Sequence, residues 1–499
     1  MESVTVTRHS DGFYHPKNEA EVINLIHFAI ANHLKVRVRG SAHSSVNAAI
    51  YTGDFATPPS VDNDLNLILD QMNAVAFDDQ QMQVTVQAGC HFGLDPADPT
   101  GTSTIENSLV YQLQQRGWAL PITGGIIHQT MGGFLSTGSS GGSLQHSLLS
   151  AIISIRLIDG TGTPHDFHRT DDEDDPFYAV GVSMGLLGII TSVTFQCIST
   201  FNITGTETTS GYADCKINLF DTNDDGRPST AAFFENAEYG RIMWWPQKGV
   251  EKLLVWEAQR ITAAPDFKPK PYLEFAPVFG SERPSQIAAG VLFRLYSIVN
   301  PPGPSTFLGR VAVSVLKPLF PVIVNLFLAS AVKGPQEFQD YWSDGVPMDN
   351  RVDYSLVPVQ FSELWISVAR GNEVMTKIRD HFRNHDLTQV GTFTVEVYAT
   401  PSNPFWMSPA YGTDVIKYDM FWFPLNKGNP ATDFYPQFWK LLQEFDFRPH
   451  WGKFLPDNAT ELKALYPRWD DFMQLRAQMD PHQIFLTAYW RGHLGVLPE

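Results

Sequence analysis

A chain of 499 residues, 43% hydrophobic and 18% charged, has the composition of a folded protein of two or three domains, not of a disordered or fibrous one. Its formal net charge of −18 comes without any cluster of Lys or Arg, which excludes the basic stripe that nucleic-acid binding requires. Three widely spaced cysteines, Cys90, Cys197 and Cys215, form neither a disulfide framework nor a zinc ligand set.

The first predicted element is an amphipathic helix over 16–33, with Val22, Ile26, Ala29 and Ile30 on one face. It delivers the chain to a short strand at Val36 and Val38, which stops at Gly40 and is followed by Ser41, Ala42, His43, Ser44 and Ser45. Bare backbone N–H groups, hydroxyls and one imidazole thus arrive together, which is what a diphosphate needs. The βα-type alternation continues through Leu65-Asn-Leu-Ile-Leu69, Gln83-Val-Thr-Val-Gln87 and a helix-like run from Ser108 that ends at Gly117. A second glycine-rich run, Thr123 to Gly142, offers close-approach backbone at Gly124, Gly132, Gly133, Gly138 and Gly142, with hydroxyls at Ser136, Thr137 and Ser139. Two such loops predict one large phosphate-bearing cofactor. Neither matches the P-loop or the G-x-G-x-x-G fingerprint, so a nicotinamide-type Rossmann unit is not expected.

Beyond it come a strand at 151–158, an acidic loop at Asp171 to Asp175, and Gly185-Leu-Leu-Gly-Ile-Ile190 leading into a further strand. From about residue 200 the chain turns to long aromatic-rich strands with proline punctuation. The segment 264–335 is strongly apolar, and Lys317, Pro318 and Pro321 are expected to interrupt it. It therefore predicts no transmembrane span and reads as a buried helix or a lid, with a peripheral membrane contact through 304–335 as the alternative. Alternation at 394–398 places Thr394, Glu396 and Tyr398 on one strand face, with Phe393, Val395 and Val397 on the other. A lone strand glutamate is equally a solvated edge residue or a site residue. Lys453, beside His450, Trp451 and Phe454, has neighbours that suit an interior position. His165 and His168 complete no recognisable ligand set, and no metal is assigned. No Gly-x-Ser-x-Gly occurs, which disfavours a hydrolase. The odd cysteine count, and a start without a basic segment followed by an apolar one, predict a reducing, cytoplasmic setting. The sequons at Asn202 and Asn458 are then expected to be chance matches.

Arg39-Gly-Ser-Ala-His-Ser44 and Met131-Gly-Gly-Phe-Leu-Ser-Thr-Gly138 resemble the flavin domain of the vanillyl-alcohol oxidase superfamily (FAD-binding, PCMH type), in its aldonolactone and alditol oxidase branch. Glu396-x-x-Ala399 with Trp406-x-Ser-Pro-x-Tyr-Gly-x-Asp414, and His450-Trp-Gly-Lys453, resemble the C-terminal signatures of that branch, including D-arabinono-1,4-lactone oxidases. The resemblance implies FAD bonded covalently to His43. Arg39, Gly40, Ser41, Ala42, Ser44, Gly124, Gly132, Gly133, Ser136, Thr137, Gly138, Ser139, Gly142 and His146 would contact it, and Gly188, Ile189 and Ile190 would lie at its adenine end. Lys453 would approach both flavin and substrate, with Glu396, Tyr398 and His450 on the substrate side. Tyr398 stands where those enzymes commonly carry arginine, and Asp419 and Phe421 stand where polyol oxidases tend to carry histidine and threonine.

The resemblance implies an α+β, two-domain fold: an FAD-binding domain over 1–200, a substrate domain with a large antiparallel sheet over 201–430, and a C-terminal segment, 431–499, that completes the flavin site. It implies oxidation of an alcohol group of a sugar-like, lactone or other hydroxylated small molecule, with oxygen or another electron acceptor taking the electrons. A flavin-binding protein with a degenerate pocket, or a membrane-associated dehydrogenase with a quinone-like acceptor, are the alternatives.

Overall fold

The structure is a computed structural model and describes residues 7–52, 64–220, 225–300, 306–385, 391–392 and 394–497. Phe393, placed above on the apolar face of its strand, lies outside the described residues.

Helix α1 (Glu19–Asn32) begins where the Asn18 side chain accepts from the Glu21 N–H, buries Val22, Leu25, Ile26 and Ala29, and ends at His33 in a left-handed conformation. The chain then enters β1 (Val36–Arg39), which pairs in parallel with β2 (Leu65–Ile68). A five-stranded antiparallel sheet follows from β3 (Val75–Asp78), β4 (Gln83–Gln87), β6 (Ile152–Ile158), β7 (Pro164–His168) and β8 (Ile189–Gln196), in the order β3-β4-β8-β6-β7. The short β5 (Trp118–Ala119) and β9 (Ile198–Ser199) pair beside it. The C-terminal tail returns to this part: Val36 donates to Ile484 O, Gly160 to Met479 O, and the Arg37 guanidinium lies over the Trp490 ring.

The second sheet has eight strands: β10 (Phe201–Gly211), β11 (Tyr239–Trp245), β12 (Lys252–Thr262), β13 (Gln336–Tyr341), β14 (Gln360–Ser367), β15 (Val395–Thr400), β16 (Val415–Trp422) and β17 (Arg448–Pro449). Their order is β13-β10-β12-β11-β15-β16-β14-β17, and every neighbouring pair is antiparallel. Side chains on one face, among them Ile242, Trp244, Val395, Val397, Ile416 and Tyr418, pack against helix residues Val374, Ile378, Phe382 and Phe438 in one apolar core. The period of two then forces their neighbours Met243, Glu396, Lys417 and Asp419 onto the opposite face.

The segment 264–335 departs from expectation. Lys317, Pro318 and Pro321 do not interrupt it: residues Phe307–Ala331 form one continuous 25-residue helix, α3, preceded by α2 (Arg283–Val299). The missing proline N–H groups are tolerated because most of α3 is open to solvent. Nor is it a buried helix, since only Phe320, Val324, Leu328 and Ala331 are enclosed. By length and composition alone α3 could cross a membrane. His165 is tied to Asp159 at 2.7 Å rather than to His168. Asn202 is buried within β10 and Asn458 caps a helix start, so neither sequon is displayed as a free loop asparagine.

Candidate active site

The first cavity lies at the C-terminal end of β1. Arg37, Arg39, Gly40, Ser41, Ala42, His43 and Ser44 line one side, and Gly132, Gly133, Ser136, Thr137 and Ser139 another, with Gly188, Ile189, Ile190 and Lys453 completing it. The two glycine-bearing runs meet because Ser41 Oγ donates to His128 O at 2.7 Å and because a Cβ on Gly40 would stand 2.4 Å from Thr130 Oγ1. The C-terminal motif is stitched in by Ser45 N–H donating to Gly452 O at 2.8 Å and Lys453 Nζ donating to His43 O at 3.3 Å.

A second cavity of about 510 Å³, within the usual range for a small-molecule site, lies over the polar face of the large sheet. The two cavities share Ala42, His43, Ser44, Gln129, Ser139, His450 and Lys453. His450 is held by its own loop: Gly452 N–H donates to Nδ1 at 2.9 Å, so the Nε2 hydrogen is free to donate to Ser139 Oγ at 3.2 Å. Burial, its largest influence, pushes the His450 pKa down to about 4, which keeps the ring neutral.

Strand register builds the floor of the second cavity. Glu396 pairs with Asp419 across β15 and β16, and Asp419 with Glu363 across β16 and β14, so three carboxyls stand in one row. Two residues along, Arg241, Tyr398, Lys417 and Trp365 form the next row. Tyr398 donates to Glu363 Oε2 at 3.2 Å, and Lys417 Nζ lies 3.7 Å from the Tyr398 ring centroid. Lys417 Nζ also donates to Ser140 Oγ at 2.9 Å and to Gly141 O at 3.0 Å. Arg241 is fully enclosed and pairs with Glu274 at 2.9 Å and with Asp349. Burial, with Asp349 nearby, pushes the Glu396 carboxyl well above the usual range; burial, with Glu363 nearby, does the same to Asp419. Burial also lowers Lys453, and lowers Lys417 to about 8.

Residues 10–94 match the family model "FAD binding domain" and residues 306–493 the model "D-arabinono-1,4-lactone oxidase". The chain is 22% identical over 481 residues to an L-gulonolactone oxidase of Mus musculus (96% of this chain, 93% of that protein). It is 24% identical over 488 residues to an L-gulono-1,4-lactone dehydrogenase of Mycobacterium tuberculosis (96% and 95%). The chain thus carries an FAD-binding domain followed by a D-arabinono-1,4-lactone oxidase domain, and its relatives over nearly the whole chain are aldonolactone oxidases and dehydrogenases. The fold of this flavoprotein is also that of a solved cholesterol oxidase from B. sterolicum, with TM-score 0.65 at 17% identity, covering 97% of this chain and 93% of that one.

The residues present in this aldonolactone oxidase relative fit FAD. Arg39 is buried with Nε and one terminal nitrogen unpartnered, and the Arg37 Nε is likewise unpartnered. Enclosed guanidinium groups with free donors suit an anionic diphosphate. His43 Nε2 is enclosed with no partner, and burial foremost, reinforced by His128 and Lys453, lowers its pKa to about 3. A neutral ring with a free nitrogen is what a covalent bond to the cofactor requires.

Some expected contacts fall elsewhere. Gly124 lines the second cavity, not the first. Gly138 faces Val182 and Pro409, and Gly142 faces Gly240 O and Met348, so both serve packing of the loop in this flavoprotein. His146 lies in neither cavity's wall: its Nε2 is bonded to Glu238 at 2.8 Å and its ring packs on Tyr239. Arg37, Arg241, Asp349, Glu363 and Lys417 were not among the residues expected at the site. Nor was the group formed by His43, Asp95 and His128, whose ligand-type atoms lie within 4.8 Å of one another. Alternation within β11, β14 and β16 was the available signal, but only register shows that these residues share a face.

Proposed function

We propose that this flavoprotein oxidises a secondary or hemiacetal-type alcohol of an uncharged, lactone-like substrate seated in the 510 Å³ cavity. Residues 1–200 and 431–499 would form the FAD part and 201–430 the substrate part. The observation that carries the reading is that the two cavities meet at His43, Ser139, His450 and Lys453. When bound, FAD supplies a hydride acceptor at N5 and passes the electrons to oxygen or another acceptor.

The chain's residues supply the rest. Glu396, protonated by burial, acts as a hydrogen-bond donor that holds a substrate oxygen and is not the base. Tyr398 and Glu363, joined by a 3.2 Å hydrogen bond, form the path for the proton leaving the alcohol: the Tyr398 oxygen receives it as the Tyr398 hydrogen passes to Glu363 Oε2. Lys453, set between the cavities, stabilises negative charge that develops as the C–H bond breaks. The burial that keeps Glu396 and Asp419 protonated equally penalises a carboxylate on the ligand, so neutral lactones and alcohols are favoured over sugar acids. Phe275, Phe293, Phe327 and Phe421 on the same wall accommodate an apolar part.

The test is anaerobic bleaching of the flavin band by a panel of hydroxylated lactones, neutral polyols and the matching sugar acids. Bleaching by neutral members and not by acids supports the reading. A flavin that no member bleaches would leave a binding protein without the chemistry.

A further inference from the structure

Twelve of the eighteen large apolar side chains exposed among the described residues lie between Val278 and Leu326. They follow helical spacing. On α3, Leu308, Val311, Val315, Leu319, Val322 and Leu326 recur at intervals of three and four and are each 46% or more exposed, while Phe320, Val324 and Leu328 face inward. On α2, Ile287, Val291, Arg294 and Ile298 form the matching outward stripe. Ahead of α2, Phe279 sits fully exposed at the tip of a turn closed by hydrogen bonds between Val278 and Ser281, with a left-handed φ of 52°. A bulky side chain held out in a disfavoured backbone region, beside two helices whose outer faces are apolar, marks a contact surface.

Charge identifies the partner. Residues 283–336 carry five cations, Arg283, Arg294, Arg310, Lys317 and Lys333, and no Asp or Glu, in a chain of net charge −18. Arg283, Arg294 and Arg310 are exposed along the same helix pair. An apolar face rimmed by cations fits an anionic lipid surface, into which such a face sinks to the level of the head groups. A two-fold contact with a second copy would instead set these cations against each other with no carboxylate in the segment to pair them. The inner faces of the same two helices border the second cavity, through Ala289 and Phe293 of α2 and Phe327 of α3.

We propose that the α2–α3 helix pair docks this protein onto an anionic bilayer, lying in the head-group layer without spanning it, and seats the apolar wall of the second cavity against the lipid. That this cavity receives the substrate rests on the proposed function; the docking itself does not. The experiment is flotation of the full-length holoprotein with phosphatidylcholine vesicles, with and without phosphatidylserine. The wild type should float with the phosphatidylserine vesicles, and addition of salt should release it. The exposed-face variant Val315→Glu/Leu319→Glu/Leu326→Glu should lose about tenfold or more of that binding while keeping the wild-type flavin absorbance, which reports that it is folded. Wild-type protein that stays at the bottom of both gradients overturns the proposal. So does equal binding by the variant, equal binding to vesicles lacking phosphatidylserine, or a dimer in solution that the variant dissociates. Flotation reads no turnover, so a flavin that no alcohol bleaches would defeat the proposed function and leave this result standing.

Discussion

Glu396 and Asp419 stand directly opposite each other on β15 and β16, 7% and 1% exposed, and burial foremost drives both carboxyls well above their ordinary pKa. Two ionised carboxylates cannot share such a site, so the protonated forms prevail. Glu396→Gln and Asp419→Asn keep shape and neutrality, and each should leave the melting temperature at mildly acid pH close to wild type. An acid whose folded pKa is raised contributes stability that is full below its unfolded pKa and lost as pH rises through the folded value. The amide variants lack that loss, so as pH rises above the ordinary carboxylate range they should gain on wild type. Thermal melts at rising pH check it. A wild type that gains on the amides with rising pH would mean that the carboxyls are ionised.

His450 gives the opposite slope. Its pKa falls to about 4 in the folded protein, mainly through burial. A histidine depressed in this way contributes stability that is present above the unfolded value, near 6.5, and lost as pH falls through 4. Each pH unit below 6.5 should cost the folded state roughly 1.4 kcal/mol through this one group until 4 is reached. His450→Asn preserves an acceptor for the Gly452 N–H, and its melting temperature should fall less steeply on acidification than that of wild type.

Both cofactor loops were legible because their chemistry is local: glycines and hydroxyls gathered at Arg39–Ser44 and Met131–Gly138 describe a phosphate cradle without knowledge of what packs on it. For His450–Lys453 the neighbouring aromatic residues gave an interior position, and the approach to the flavin came from the resemblance alone. The acidic floor was not legible. Glu363, Asp419 and Glu396 come from three strands far apart in sequence and form a row only through pairing register, which no single strand's alternation specifies. Tyr398 stands where an arginine is common, yet Lys417, from the neighbouring strand, places its ammonium over the Tyr398 ring. For α3 the prolines misled: they disfavour a helix interior, but a helix mostly open to solvent tolerates them.

Lys453 and Tyr398 should separate in kinetics. Lys453→Met removes a cation placed at the junction of the cavities, and single-turnover anaerobic reduction should slow by about 10²–10³, the worth of a charge aimed at a developing anion. Tyr398→Phe keeps the ring under Lys417 and deletes only the hydroxyl bonded to Glu363, a bond worth about 0.5–1.5 kcal/mol to the fold. Its melting temperature should therefore shift little, while the maximal rate of reduction falls and its pH dependence changes. Unchanged reduction in both variants would move the reacting carbon away from this wall of the cavity.

His43 carries the last prediction. Its Nε2 is enclosed without a partner, and the ring is held neutral by burial, by the neighbouring His128 ring and by Lys453. A ring held neutral keeps a lone pair on one of its two nitrogens, which suits bond formation with the FAD methyl. Acid precipitation of the purified protein should therefore leave the yellow colour in the pellet, and His43→Ala should release it to the supernatant. The loss should not abolish binding, because Arg37, Arg39 and the backbone around Gly40 and Gly132 line the same cavity independently of the imidazole. His43→Ala should thus remain yellow until denatured. Colour in the wild-type supernatant would show a free flavin and reduce His43 to a hydrogen-bonding wall residue, whereas colourless His43→Ala would mean that the bond, not the cradle, holds the cofactor.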